Sequence, residues 1–348
     1  MRGVHAFEAR PIDDLYRWFA SEAASSPTWQ RLCLWIADHP EVNARLDALP
    51  GRKRQPNVFL GALRYLSGPT APGPDFVAWV DAHWAELERV MVARSTQTNE
   101  PGRCAVLAPV LASLPQPITL LEVGSSAGLC LLPDRYAYRF SEGDPFGLPG
   151  ENPGGQQSSV VRPDAAADDA PVLECRVDGT PPGDPATLVV AARRGLDVNP
   201  LDAADPDDVR WLRALVWPDE QDREERLAAC LALAAADPPE IVTGDLRGAA
   251  LTESLDALLA AVAPGSTPVL QHSAVLAYLP RAERDAFERA VASAGVRWVS
   301  YEGPSVLTSV KARLTDRAAW ESTPNFVVAL DGEPIGRASA HGVWVSWS

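Results

Sequence analysis

Residues 120–132 read LLEVGSSAGLCLL: an apolar run, the acid Glu122, then Gly124, Ser125, Ser126, Ala127 and Gly128 opening a second apolar run. The residues from Ile118 to Val123 suit a short buried strand. Glycines directly after a strand permit a sharp turn and a close backbone approach. A helix beginning there would present free N–H groups, and the segment that follows is long enough for one. The stretch therefore predicts strand, turn and helix, with a ligand cradle at the turn. The acid sets the cradle's character: Glu122 would repel a pyrophosphate and would suit a positively charged group.

The rest of the chain must supply a sheet around this strand. Between residues 12 and 113 the sequence is helical in pattern. DDLYRWFASEAA, TWQRLCLWIADH, DFVAWVDAHWAELERVMVARS and RCAVLAPVLASL each repeat apolar residues three and four apart, separated by Pro/Gly punctuation. Trp18, Trp29, Trp35, Trp79 and Trp84 fall at helical spacing and read as packing residues. After residue 117 strand-like and helix-like runs alternate: TLVVAARRGLDV, EERLAACLALAAA, EIVTGDL, LTESLDALLAAVA, TPVLQHSAVLAYL, RAERDAFERAVASAG and VRWVSYEG. Such alternation predicts an α/β fold, a doubly wound, mostly parallel sheet with helices on its faces. FVVALDGEPIGRASAHGVWVSW reads as an antiparallel pair closing it. Two domains follow: an N-terminal helical lobe over 1–115 and the α/β domain over 116–348. A Pro/Asp/Gly-rich insertion is expected at about 141–186.

Composition narrows the function. The 348 residues carry a formal net charge of −15, so nucleic acid is a poor partner. No apolar stretch is long enough to span a membrane, and acids stand where a signal peptide would have its apolar run. Five scattered cysteines without a CxxC pair fit a reducing, cytoplasmic setting and suggest no metal site. A small-molecule substrate is the remaining partner class. DPPE at 237–240 reads as a stiff loop. No P-loop lysine follows Gly128, and neither VGSSAG nor HSAV has the glycine spacing of a nucleophile elbow.

The spacing Glu122-x-Gly124-x-Ser126-x-Gly128 resembles the first motif of the class I S-adenosylmethionine-dependent methyltransferases, with Ser126 in place of the middle glycine. In that superfamily the loop, here Gly124, Ser125, Ser126 and Gly128, lies beneath the methionine and ribose, and the acid organises the amino-acid end. GLDVNP resembles the second motif, with Asp197 at a strand tip where one carboxylate can accept both ribose hydroxyls. Asp245, after the third run, would face the adenine amine, with the Leu246 N–H completing the contact. Three acids ending three successive parallel strands would share one sheet edge. Past the fourth run, Gln271 and His272 fall where a methyl acceptor would meet the sulfonium, with His272 as a general base. Tyr278, Glu302 and His341 are candidates for the pocket rim.

LLEVGSSAGLCLLPDRYAYRF, ARRGLDVNPLD, RWLRALVWPD, QHSAVLAYLP and SAHGVWVSW, in that order, also resemble a bacterial domain-of-unknown-function family spanning nearly the whole chain. That resemblance implies a methyltransferase-like sheet and no assigned reaction. The resulting expectation is methyl transfer from S-adenosylmethionine to an unidentified small molecule. The alternatives are a non-catalytic adenosyl-compound binder or scaffold keeping the same fold, and an NAD-type oxidoreductase, which Glu122 disfavours.

Overall fold

A computed structural model of the chain describes residues 10–97, 99–143, 159–315 and 325–348. Residues 1–9, on which the signal-peptide reading partly rests, and 144–158, the Gly/Pro-rich part of the expected insertion, lie outside the described residues. The chain divides into two compact units: the described residues up to 97 with 202–228, and residues 99–201 with 229–348. The boundary expected near 115 is thereby shifted. The helix α6 (Cys104–Ala112) belongs to the second unit, and 202–228 return to the first.

The first unit is helical: α1 (Ile12–Glu22), α2 (Pro27–Ala37), α3 (Pro40–Asp47), α4 (Pro56–Tyr65), α5 (Pro74–Ala93), α7 (Pro206–Ala214) and the first part of α8 (Gln221–Ala236). Proline opens α2 to α5 and α7. Its fixed φ and missing N–H suit the first helical position. Ser26 caps α2 by accepting the Trp29 N–H, and Asp205 caps α7 by accepting that of Asp207. Leu15, Tyr16, Phe19, Trp29, Leu32 and Ile36 form the buried core. Trp18, Trp35, Trp79 and Trp84 pack half-buried against it, so the tryptophans are packing residues here.

The second unit holds one eleven-stranded sheet. Its strands are β1 (Ile118–Val123), β2 (Ala137–Glu142), β3 (Val160–Val161), β4 (Val172–Asp178), β5 (Val190–Asp197), β6 (Ile241–Thr243), β7 (Thr267–Ser273), β8 (Arg297–Glu302), β9 (Phe326–Leu330), β10 (Glu333–Ala338) and β11 (Trp344–Trp347). They lie in the order β3-β2-β4-β11-β10-β9-β8-β7-β1-β5-β6. The block β6, β5, β1, β7, β8 is parallel throughout, as the alternating runs predicted. Every residue of β1 is buried, as expected of an interior strand in a parallel block. On one face Leu121, Leu270 and Trp298 pack with Leu255 of α9 (Ala250–Leu259), Phe287 of α10 (Arg281–Ser293) and Val310 of α11 (Thr308–Arg313). No described helix is long and apolar enough to cross a membrane.

Three expectations are corrected. No helix follows β1. Leu129–Leu131 and Pro133–Arg135 form single 3-10 turns and the chain runs on into β2. Pro133 would break a helix started at Gly128, and the buried Tyr136 and Tyr138 use their hydroxyls to satisfy the carbonyls of Leu129 and Pro133. The chain end makes three strands, because Glu333–Ala338 pairs antiparallel with both β9 and β11 despite its Pro and Gly. A register shift between Pro334 and Gly336 accommodates them. Finally, β11 does not close the sheet: it pairs in parallel with β4, which pairs with β2. The described part of the expected insertion contributes β3, β4 and the end of β2, joined by loops, and these strands extend the far edge of the sheet.

Candidate functional site

In register, Glu122 of β1 stands between Gly195 of β5 and Gln271 of β7. Gly195 makes room for Ser125, whose Oγ a Cβ there would meet. A buried carboxylate in a sheet needs a polar neighbour. Gln271 gives the neighbour: it hydrogen-bonds Glu122 while its Nε2 donates to the Cys130 carbonyl at 2.8 Å. Burial holds the Glu122 carboxyl well above its ordinary range, with the nearby Cys130 adding to the shift and Arg103 opposing it.

The loop after β1 turns as the glycines suggested, with φ of +75° at Gly124, +54° at Ser126 and +75° at Gly128. Ser126 therefore adopts the left-handed conformation that its position demands, without glycine's freedom. Gly124 and Ser125 donate their N–H groups to the Leu196 carbonyl at 2.7 and 3.2 Å. The room saved by the missing side chains is taken by the protein itself: a Cβ on Gly124 would meet Val275, and one on Gly128 would meet Pro239. The side on which each glycine lacks a Cβ is thus packed against the protein.

Asp197 sits at the tip of β5, 8% exposed. Its two oxygens accept the N–H groups of Ser126 and Asn199, both at 2.8 Å, so it ties the β1 loop to the β5 loop. Burial raises its carboxyl, and these backbone donors oppose the shift. Glu122 and Asp197 are within electrostatic reach of each other. The third acid departs. Asp245 is gripped by the Arg247 side chain at 2.5 Å and caps the Arg247 N–H, which draws its carboxyl below the usual value. Leu246 is buried in the α9 and α10 core. The structure thus brings two of the three acids together and turns Asp245 and Leu246 to other tasks.

His272 is fully buried beside Phe287 and Trp298. Its Nε2 receives the Trp298 indole N–H at 3.0 Å. An indole N–H can only donate, so the imidazole proton is on Nδ1, facing Glu302 Oε1 at 2.9 Å. Both nitrogens are occupied, and the expected general base is a core histidine. Glu302, expected at the rim, lies beneath it: 2% exposed, its Oε1 accepts from His272, Val275 and Leu276. Tyr278 is 48% exposed, within electrostatic reach of Arg103 and Glu302. His341 lies in the turn between β10 and β11, partly exposed.

Sequence reasoning missed Arg103. It is 4% exposed at the head of the wholly buried helix α6. Its Nε donates to the Ala340 carbonyl at 2.9 Å, and Nη1 to the carbonyl and hydroxyl of Ser273 at 3.2 Å. The signal was a lone arginine opening an unbroken apolar helix, RCAVLAPVLA. Cys104 and Cys130, read as scattered thiols, meet in the same place. Their mutual hydrogen bond lowers the Cys130 thiol while burial pushes Cys104 up.

Several buried polar atoms of this neighbourhood have no hydrogen-bond partner: Glu122 Oε2, Ser125 Oγ, Ser126 Oγ, Gln271 Oε1 and Glu302 Oε2. All belong to the carboxyl ends of β1, β7 and β8 or to the loop after β1. In parallel sheets that edge is where ligands bind.

No curated protein and no solved structure matches the chain. A family profile does, over residues 13–347. The chain belongs to the bacterial family described as "Uncharacterized protein conserved in bacteria (DUF2332)".

Proposed function

We propose that the chain is an S-adenosylmethionine-dependent methyltransferase acting on a small molecule. The observation that supports this reading is the set of unsatisfied buried polar atoms around Glu122. An unpaired buried polar atom costs roughly 1–3 kcal/mol, and such groups are tolerated where a ligand or ordered water completes them.

The residues fit part of the cofactor. Glu122 and Gln271 offer open acceptors to an ammonium, and the Ser125 and Ser126 hydroxyls can turn to either a donor or an acceptor. Each Asp197 oxygen accepts one backbone N–H and keeps a lone pair for a ribose hydroxyl. Asp245 and Leu246 do not fit the adenine role. When bound, the cofactor supplies a methyl group on a sulfonium, ready for in-line displacement. The chain's own residues then orient it and exclude water, and alignment carries most of the catalysis.

Calorimetry with S-adenosylmethionine, S-adenosylhomocysteine and NAD tests the reading. Micromolar affinity for the first two, weakened more than about tenfold by Asp197→Ala, is expected. Absence of heat with both adenosyl compounds overturns it. A cationic ligand favours the ionised form of Glu122, so its binding should release a proton and tighten as pH rises.

A second reading is favoured by His272, whose two ring nitrogens are both taken up within the core and leave no general base there. A protein that keeps the fold and binds an adenosyl compound without turning it over predicts the same heats and no methylated product in a metabolite extract.

A further inference from the structure

Arg103 presents a problem that the proposed cofactor site does not solve. Buried guanidinium groups are almost always paired with a carboxylate. Arg103 is 4% exposed, yet its hydrogen bonds run to two carbonyls and a hydroxyl. Among the described residues no carboxylate lies in salt-bridge contact with it, and Glu122 is within its electrostatic reach without bonding it. The groups around it are also donors. Ser273 receives the Arg103 N–H on its oxygen at 3.2 Å, which leaves the hydroxyl proton for another partner. Tyr278, half-exposed, holds its hydroxyl within electrostatic reach of Arg103. Arg103 Nε and Nη1 are engaged by Ala340 and Ser273, which leaves the two Nη2 N–H groups. Donors of this kind beside two hydroxyls are the chemistry that receives a carboxylate. Within electrostatic reach are the opposite half-sites: Glu122 for Arg103 and Glu302 for Tyr278, each with a buried Oε2 that lacks a donor.

We propose that Arg103, Ser273 and Tyr278 form a subsite for the carboxylate of an amino-acid-type ligand whose ammonium meets the unsatisfied acidic oxygens. The subsite stands whether or not the cofactor reading does, because the zwitterion has two possible sources. It is the methionyl end of the cofactor or the head of a separate amino-acid substrate.

Binding measurements on the whole chain separate the sources. S-adenosylhomocysteine, 5′-methylthioadenosine (the same nucleoside without the amino-acid end) and L-methionine are titrated into wild type, Arg103→Met, Arg103→Lys and Tyr278→Phe. If the zwitterion belongs to the cofactor, S-adenosylhomocysteine binds at least tenfold more tightly than 5′-methylthioadenosine. Arg103→Met then erases that advantage, and L-methionine competes with S-adenosylhomocysteine. If it belongs to a second molecule, a panel of L-amino acids includes one that binds in the presence of saturating S-adenosylhomocysteine and is lost in Arg103→Met. In either case Arg103→Lys restores part of the affinity, and Tyr278→Phe, at an exposed site that leaves folding intact, weakens it about two- to fivefold. The subsite is refuted if no zwitterionic ligand binds wild type. It is equally refuted if Tyr278→Phe and a folded Arg103→Met both leave every affinity within twofold. The cofactor reading fails separately, when adenosyl compounds give no heat while an amino acid still binds.

Discussion

At the residue scale, the hydrogen bonds of single side chains separate structural groups from candidate ligand-binding ones. His272→Ala strands the Trp298 indole N–H and removes a partner of Glu302 in a fully buried place. Loss of about 3 kcal/mol in urea unfolding is expected; wild-type stability would mean that the ring nitrogens are not bonded as described. Asp245→Ala breaks a pair whose side chains are 32% and 48% exposed. It should cost less than about 1 kcal/mol and leave S-adenosylhomocysteine affinity within about twofold, whereas a residue facing adenine would show a much larger loss by calorimetry. The sequence could not distinguish these two polar residues after apolar runs from Asp197. What separates them is the identity of a partner far along the chain: Trp298 for His272, and the loop N–H of Ser126 for Asp197. Asp245 differs again, because its partner Arg247 is local and was open to reading as a turn.

At the element scale, the loop after β1 was legible as a glycine turn because its requirement is local: positive φ at Gly124 and Gly128. What fills the turn was not, because Val275 and Pro239 come from segments that only the assembled sheet brings near. Gly124→Ala combines the left-handed φ with a clash against Val275. It should destabilise the chain by more than about 2 kcal/mol. Adding Val275→Ala should recover the steric part, so a double-mutant cycle by chemical denaturation must show non-additivity; strictly additive values would place Val275 elsewhere. The parallel block was readable from alternating periodicities. β10 was not, since Pro334 and Gly336 carry the text of a loop and only the register shift makes them strand. The missing helix after β1 was concealed for a similar reason. Its turns are short, and their carbonyls are satisfied by tyrosines of the next strand.

Across the whole molecule, the buried acids tie stability to pH. The Glu122 carboxyl is raised in the folded chain above its ordinary 4.5, and Asp197 above its ordinary 3.8. Each contribution is complete below the unfolded value and is lost as pH rises through the folded one. Glu122→Gln should therefore gain stability relative to wild type as pH increases from about 5 to 8, followed by guanidinium midpoints. A constant difference would show that Glu122 titrates normally. The path of the chain has a consequence of a different kind. Strand β1 is flanked by β5 and β7, both made much later, and the helical unit waits for residues 202–228. Neither unit can finish as the polypeptide leaves the ribosome, and the fully buried strand β1 stays bare at both edges until more than half of synthesis is done. Such assembly is slow and exposed to mispairing, so this chain should need chaperone protection at birth more than its modest size suggests.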